Sequence, residues 1–140
     1  MRNLIILPVL LLTLLVGTPA FSADFQKGLT AYKNGDYATA LREWTPLAEQ
    51  GDAVAQVNLG DMYREGEGVP QDDKTAEKWY RLAAKQENAR AQINLGMMYQ
   101  IGKVVPQDYK TAVKWYRLAA EQGNALAQCF VGHLYRLGQG

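Results

Sequence analysis

Apolar and polar positions along this chain recur at helical spacing, and the whole pattern returns every 36 residues. Ala55, Leu59 and Tyr63 fall on one helical face. Asp52 stands where an N-cap would start that helix, and Gly66 where a left-handed residue would end it. The pattern predicts a first helix from about Ala53 to Arg64. A run of breakers follows, Gly66-Glu67-Gly68-Val69-Pro70-Gln71-Asp72. Ala76, Trp79, Tyr80, Ala83 and Ala84 then mark a second helix, capped by Asp72 or Asp73 and running to about Gln86. Asn88 caps the next first helix, and the succession repeats around Gly102, Pro106, Asp108, Trp115 and Gly123.

The copies are close. Ala55-Gln56-Val57-Asn58-Leu59-Gly60 returns as Ala91-Gln92-Ile93-Asn94-Leu95-Gly96, and more loosely as Ala127-Gln128-Cys129-Phe130-Val131-Gly132. Trp79-Tyr80-Arg81-Leu82-Ala83-Ala84 returns as Trp115-Tyr116-Arg117-Leu118-Ala119-Ala120. Ala40 and Trp44 align with Ala76 and Tyr80, so the repeat reaches back into the first unit. There the front half is offset by four, because Gly28 precedes Ala40 by 12 residues whereas Gly60 precedes Ala76 by 16. A tight Asn34-Gly35-Asp36 turn replaces the longer one. A fixed period of this length belongs to stacked helical hairpins rather than to one globule around a single centre. The units run over about 24–51, 52–87 and 88–123, with a partial fourth over 124–140, whose helix is expected from about Ala125 to Leu137.

The motif Ala-x-x-x-Leu-Gly-x-x-Tyr, then Gly-x-Gly-Val-Pro-x-Asp, then Lys-x-Ala-x-x-Trp-Tyr-x-x-Ala-Ala resembles the Sel-1-like repeat family, a relative of the tetratricopeptide repeat. Here it is carried by Ala55, Leu59, Gly60, Tyr63, Gly66, Gly68, Val69, Pro70, Asp72, Lys74, Ala76, Trp79, Tyr80, Ala83 and Ala84, and by the same set 36 residues on, except that Val104 replaces the second turn glycine. That departure implies a stiffer or differently shaped turn. The first unit, with its shorter turn, looks more like a tetratricopeptide repeat at Gly28, Ala40 and Trp44. The resemblance implies an all-α, right-handed superhelical solenoid that works as an adaptor for other proteins, and the family signature names no catalytic residue.

Packing explains the motif. Gly60 and Gly96 let the partner helix approach closely, and the Ala-Ala pairs do the same from the other side. Tyr63, Trp79, Tyr80, Tyr99, Trp115 and Tyr116 fill the space between, so these eight positions form the expected repeat core. An aromatic stripe at helical spacing is core before it is a ligand site.

Residues 1–22 read differently. Arg2 precedes an apolar run from Leu4 to Val16, and small residues follow. This is the make-up of a secretory signal peptide, cut after Ser22 or Ala23, and the apolar run is shorter than the roughly 20 residues that span a bilayer. The chain is therefore expected to be exported, to a bacterial periplasm or the extracellular space, and to meet a membrane only through its leader. Beyond the leader, 14 basic and 14 acidic residues balance. That balance argues against nucleic acid or an anionic membrane as the main partner. With Cys129 the single cysteine, no internal disulfide can form.

Catalytic chemistry has few residues to draw on. Ser22 is the only serine and His133 the only histidine, so a Ser-His-Asp triad cannot be assembled beyond the leader. Cys129 and His133 share a helix face four residues apart, but no further His or Cys exists to complete a zinc site. Cys129 takes the slot of Val57 and Ile93 and reads as a small apolar residue. Asp72 and Asp108 read as helix caps rather than metal ligands. No cofactor is expected, and no enzymatic activity.

By analogy with tetratricopeptide stacks, the first helix of each unit lines a concave groove. Its outward positions are Val54, Val57, Asn58, Asp61 and Arg64, then Arg90, Ile93, Asn94, Met97 and Gln100, then Leu126, Cys129, Phe130, His133 and Arg136. Asn and Arg among apolar neighbours suit an extended peptide or a carboxylate. The expected function is a non-catalytic adaptor or scaffold that binds a protein or peptide. The alternatives are a module that self-associates through its incomplete last repeat, and a cell-wall-related hydrolase or penicillin-binding protein.

Overall fold

The computed structural model describes residues 23–140. The expected leader, residues 1–22, lies outside the described residues. Regular structure among the described residues is wholly helical: α1 (Phe25–Lys33), α2 (Tyr37–Glu49), α3 (Ala53–Glu65), α4 (Asp73–Lys85), α5 (Ala89–Ile101), α6 (Tyr109–Glu121) and α7 (Ala125–Arg136). No helix among them is long and apolar enough to cross a membrane.

Local chemistry sets each boundary. Asp52, Asn88 and Asn124 accept from the backbone N–H three residues on and open α3, α5 and α7. Asp36, Asp72 and Asp108 open α2, α4 and α6 in the same way. Gly66 and Gly102 end α3 and α5 with φ of 73° each, a conformation open to glycine at little cost. The two long turns then differ where the motif does: Gly68 has φ of 72°, whereas Val104 is not among the positive-φ residues.

Each helix packs mainly on its neighbours in sequence, so the apolar interior is a row of clusters rather than one core. The first cluster gathers around Trp44, Leu59 and Met62, the second around Val57, Tyr80 and Leu95, and the third around Ile93, Tyr116 and Leu134. Trp79 leans on the first cluster and Trp115 on the second, each reaching back one unit. Tyr63 flanks the second cluster and Tyr99 the third. The position equivalent to Trp79 and Trp115 is Glu43 in the first unit. It is buried, accepts the Asp24 N–H at 3.1 Å and pairs with Lys27 at 2.9 Å.

One glycine in each full unit meets the ring of its own second helix. A β-carbon on Gly28 would lie 2.4 Å from Trp44, and one on Gly60 or Gly96 would lie 2.5 Å from Tyr80 or Tyr116. The sixteen- and twenty-residue spacings differ, yet the contact is the same. At Gly132, in α7, nothing approaches within 4 Å.

Glutamines join the units. Buried Gln56 donates from its side-chain amide to the Ala48 carbonyl at 3.0 Å, and buried Gln92 donates to Ala84 at 3.4 Å. Gln86 and Gln122 extend the chain by donating to Gln56 and Gln92 at 3.0 and 2.9 Å. The bonds to Ala48 and Ala84 reach carbonyls near a second helix's end, which have no partner inside their own helix, and the other two tie glutamine to glutamine.

A candidate partner-binding face on the first helices

The face centres on Asp61 of α3. Its carboxylate is nearly buried and accepts the Tyr80 hydroxyl at 2.6 Å and the Asn94 side-chain amide at 3.3 Å. Arg90 crosses from α5 to bond the second oxygen, and Arg64 lies 3.6 Å from the first. Burial, together with the adjacent Asp61 charge, pushes the Tyr80 hydroxyl far above the ordinary phenol range, so it stays a donor at any physiological pH. The third unit has Met97 where the second has Asp61. There the Tyr116 hydroxyl turns to Gln100 instead, at 2.7 Å. Burial alone raises its pKa.

Two recesses flank this network. One, of about 140 Å³, lies between α1 and α3 and is lined by Leu29, Tyr32, Trp44, Asn58, Asp61 and Arg90. The Tyr32 hydroxyl donates to Glu67 at 2.7 Å, and that bond, with partial burial, pushes its pKa up to about 12. The other, of about 180 Å³, lies between α3 and α5, where Arg64, Tyr80, Asn94, Met97, Met98 and Ile101 meet Asp73 from the start of α4 and Lys103 from the turn after α5. Lys103 pairs with Asp73 at 2.6 Å across its mouth.

The expected groove residues separate into three groups. Asn58, Asp61, Arg64, Arg90, Asn94 and Met97 come together around the two recesses. Val57 and Ile93 do not line them: both are buried in the clusters between units, because the following unit covers that side of the helix. Asp61 and Asn94 are buried as well and serve the face from beneath. Val54 is exposed at the start of α3, and Gln100 is half-buried under Tyr116. On α7, Phe130 stacks on Tyr116 with ring centroids 4.8 Å apart, while Leu126, Cys129, His133 and Arg136 are exposed. Cys129 thus keeps the slot of Val57 and Ile93 without their burial. His133 contacts Arg136 at 3.3 Å, and no group of three His, Cys, Asp or Glu able to hold a metal is found among the described residues.

Leu29, Tyr32 and Trp44 are site residues that a scan starting at the second unit misses. Aligning Gly28 with Gly60 places Leu29 and Tyr32 on Asp61 and Arg64, so the signal is present once the four-residue offset is applied.

The comparisons agree with this architecture. A family model for the Sel1 repeat matches residues 53–88, 89–124 and 125–140. A Sel1 repeat protein from Oxalobacter formigenes, known from its crystal structure, superposes with a TM-score of 0.78 at 36% identity, over 82% of this chain and 47% of that one. A protective antigen of uropathogenic Escherichia coli strains, which displays an SLR fold, superposes with a TM-score of 0.77 at 40% identity, over 83% of this chain and 26% of that one. A negative regulator of exopolysaccharide production from Rhizobium leguminosarum bv. viciae is 41% identical over 56 residues, which are 40% of this chain and 21% of that protein. The chain spans about half or less of the length of each of these relatives.

Proposed function

The chain belongs to the Sel1 repeat family, whose members serve generally as non-catalytic scaffolds for protein–protein interaction, and from that premise we propose that it binds an extended segment of a partner protein along α1, α3 and α5. The observation that carries the proposal is the pair of recesses on either side of Asp61. Each is about the volume of one apolar side chain, and each has an amide or guanidinium at its rim that can bond a peptide backbone. Asn58 and Arg90 stand beside the first recess, and Asn94 and Arg64 beside the second. Tyr80 holds Asp61, and Asp61 holds Arg90, so these donors are fixed before a partner arrives, which lowers the ordering cost of binding.

The same proposal places the protein outside the cytoplasm, supported by the signal-like make-up of residues 1–22. Fractionation of the producing cells, with mass spectrometry of the chain's N-terminus, checks this. Binding is tested by crosslinking pull-down from the compartment where the chain resides, comparing wild type with Asn58→Ala plus Met97→Ala. Loss of a specific partner supports the face on α1, α3 and α5. Equal recovery of the same partners overturns it.

A further inference from the structure

The outer side of the second helices carries a charge pattern that the chain's overall neutrality conceals. Lys74, Lys78, Arg81 and Lys85 occupy one stripe of α4, and Lys110, Lys114, Arg117 and Glu121 occupy the same stripe of α6. Seven of the eight positions are basic, whereas the equivalent stripe of α2 has one cation, Arg42, and one acid, Glu49. All are exposed except Arg81, which is half-buried.

A stripe built only for solubility mixes signs, because like charges four residues apart on a helix repel. Here Arg81 has an acid, Glu77, one turn before it and Arg117 has Glu121 one turn after it, and the lysines stand in rows of like charge. The side chains of Lys74, Lys78, Lys85, Lys110 and Lys114 take part in none of the ion pairs found among the described residues. The capping carboxylates Asp72 and Asp108, which feel the charges of Lys78 and Lys114, are already engaged with backbone and threonine donors. Arg81 of α4 and Lys114 of α6 line one hollow together, so the two basic rows flank a common recess.

The field has an apolar floor. Trp115 is half-buried and Leu118 is 45% exposed in the seam between α4 and α6. On one side they help line a hollow of about 390 Å³ with Arg81, Tyr99, Thr111 and Lys114. On the other they border a second hollow of about 430 Å³ where Lys85 meets Glu87 and Glu121, so the cationic side of the floor is the one toward Arg81 and Lys114.

We propose that the α4–α6 face is a second docking surface, which takes an acidic polypeptide segment carrying a large apolar side chain. Carboxylates would pair with the two lysine and arginine rows while the apolar side chain rests on Trp115 and Leu118. A uniform polyanion or a flat anionic bilayer would use the cations and leave the hollow unfilled; the apolar floor favours a polypeptide. This surface is carried mainly by α4 and α6 and shares no lining residue with the face on α1, α3 and α5, so the chain could hold two partners at once.

The test is fluorescence anisotropy with a labelled peptide of glutamates flanking a central Leu-Phe pair, titrated with the purified protein. The same peptide with lysines, and phosphatidylglycerol vesicles, serve as comparisons. The acidic peptide is expected to bind, and to bind less well as salt rises. Lys78→Glu plus Lys114→Glu should weaken it about tenfold or more. Leu118→Ser should weaken it while leaving the salt dependence in place, and Asn58→Ala should change nothing. Circular dichroism confirms that each variant is folded, and Lys78→Gln plus Lys114→Gln stands in if the charge reversal fails to fold. No binding by the acidic peptide, equal binding by the variants, or tighter binding to the vesicles than to the peptide overturns the proposal.

Discussion

The ring of Tyr80 lies where the side chain of any residue other than glycine at position 60 would have to go. A β-carbon there would sit 2.5 Å from the ring, far inside contact distance. Gly60→Ala must therefore push Tyr80, which is fully buried and bonded to Asp61, out of place. Overpacking of this kind costs about 1–3 kcal/mol. Gly132 occupies the same repeat position with nothing within 4 Å, so Gly132→Ala should stabilise α7 by roughly 0.5–1 kcal/mol through helix propensity. Thermal or urea unfolding of the two variants should give shifts of opposite sign.

Gln92 is buried and links α5 to the carbonyl of Ala84 in the preceding unit, while its own side-chain oxygen accepts from Gln122. Gln92→Ala leaves both partners short of a bond. Both keep a second bond, Ala84 from the Glu87 N–H and Gln122 to the Leu118 carbonyl, so roughly 0.5–1.5 kcal/mol of stability should be lost. Hydrogen exchange should show the loss at the seam between the second and third units, with the first unit less affected.

Glu87 is the one non-glycine residue with positive φ, 62°, among those described; Gly51 and Gly123 hold the equivalent turns at 99° and 85°. A side chain in this region costs about 1–2 kcal/mol that glycine avoids. Glycine also loses more entropy on folding, so Glu87→Gly should raise stability by up to about 1 kcal/mol. A melting temperature unchanged or lowered by this substitution would contradict the assignment of strain.

Asp72 and Asp108 accept the hydroxyl and backbone N–H of Thr75 and Thr111, and these bonds hold both carboxyls below the ordinary aspartate value of 3.8. A pKa lower in the folded chain than in the unfolded one means that the stabilisation is complete above about pH 4 and is lost as pH falls through the folded value. Asp72→Asn keeps a capping oxygen but has no charge to lose. Melts between about pH 7 and pH 2 should show wild type and variant converging at the acid end.

Much of this fold is legible in the chain because its determinants are local. Asp52, Asn88 and Asn124 cap the helices that follow them, Gly66 and Gly102 end theirs, and a 36-residue period brings each ring back to its glycine. The face on the first helices is less legible. Val57 and Asn58 are adjacent on α3 and both look outward on an isolated helix, yet Val57 is buried and Asn58 is half-exposed, because the next unit covers only one of them. That choice is made by the angle between units, which no single hairpin encodes. Leu29 and Tyr32 were hidden by the four-residue offset of the first unit. Glu43 breaks the aromatic pattern of Trp79 and Trp115 because it serves Asp24 and Lys27 instead.

The central claim is that the helix stack presents its partner-binding face on α1, α3 and α5. Photo-crosslinking in the producing cells tests it most directly, with a photoreactive side chain placed at Asn58, at Met97 or, on the far end of α2, at Glu49. The account predicts the same discrete protein adduct from positions 58 and 97 and none from 49. Adducts of equal yield from all three positions, or from 49 alone, would contradict it.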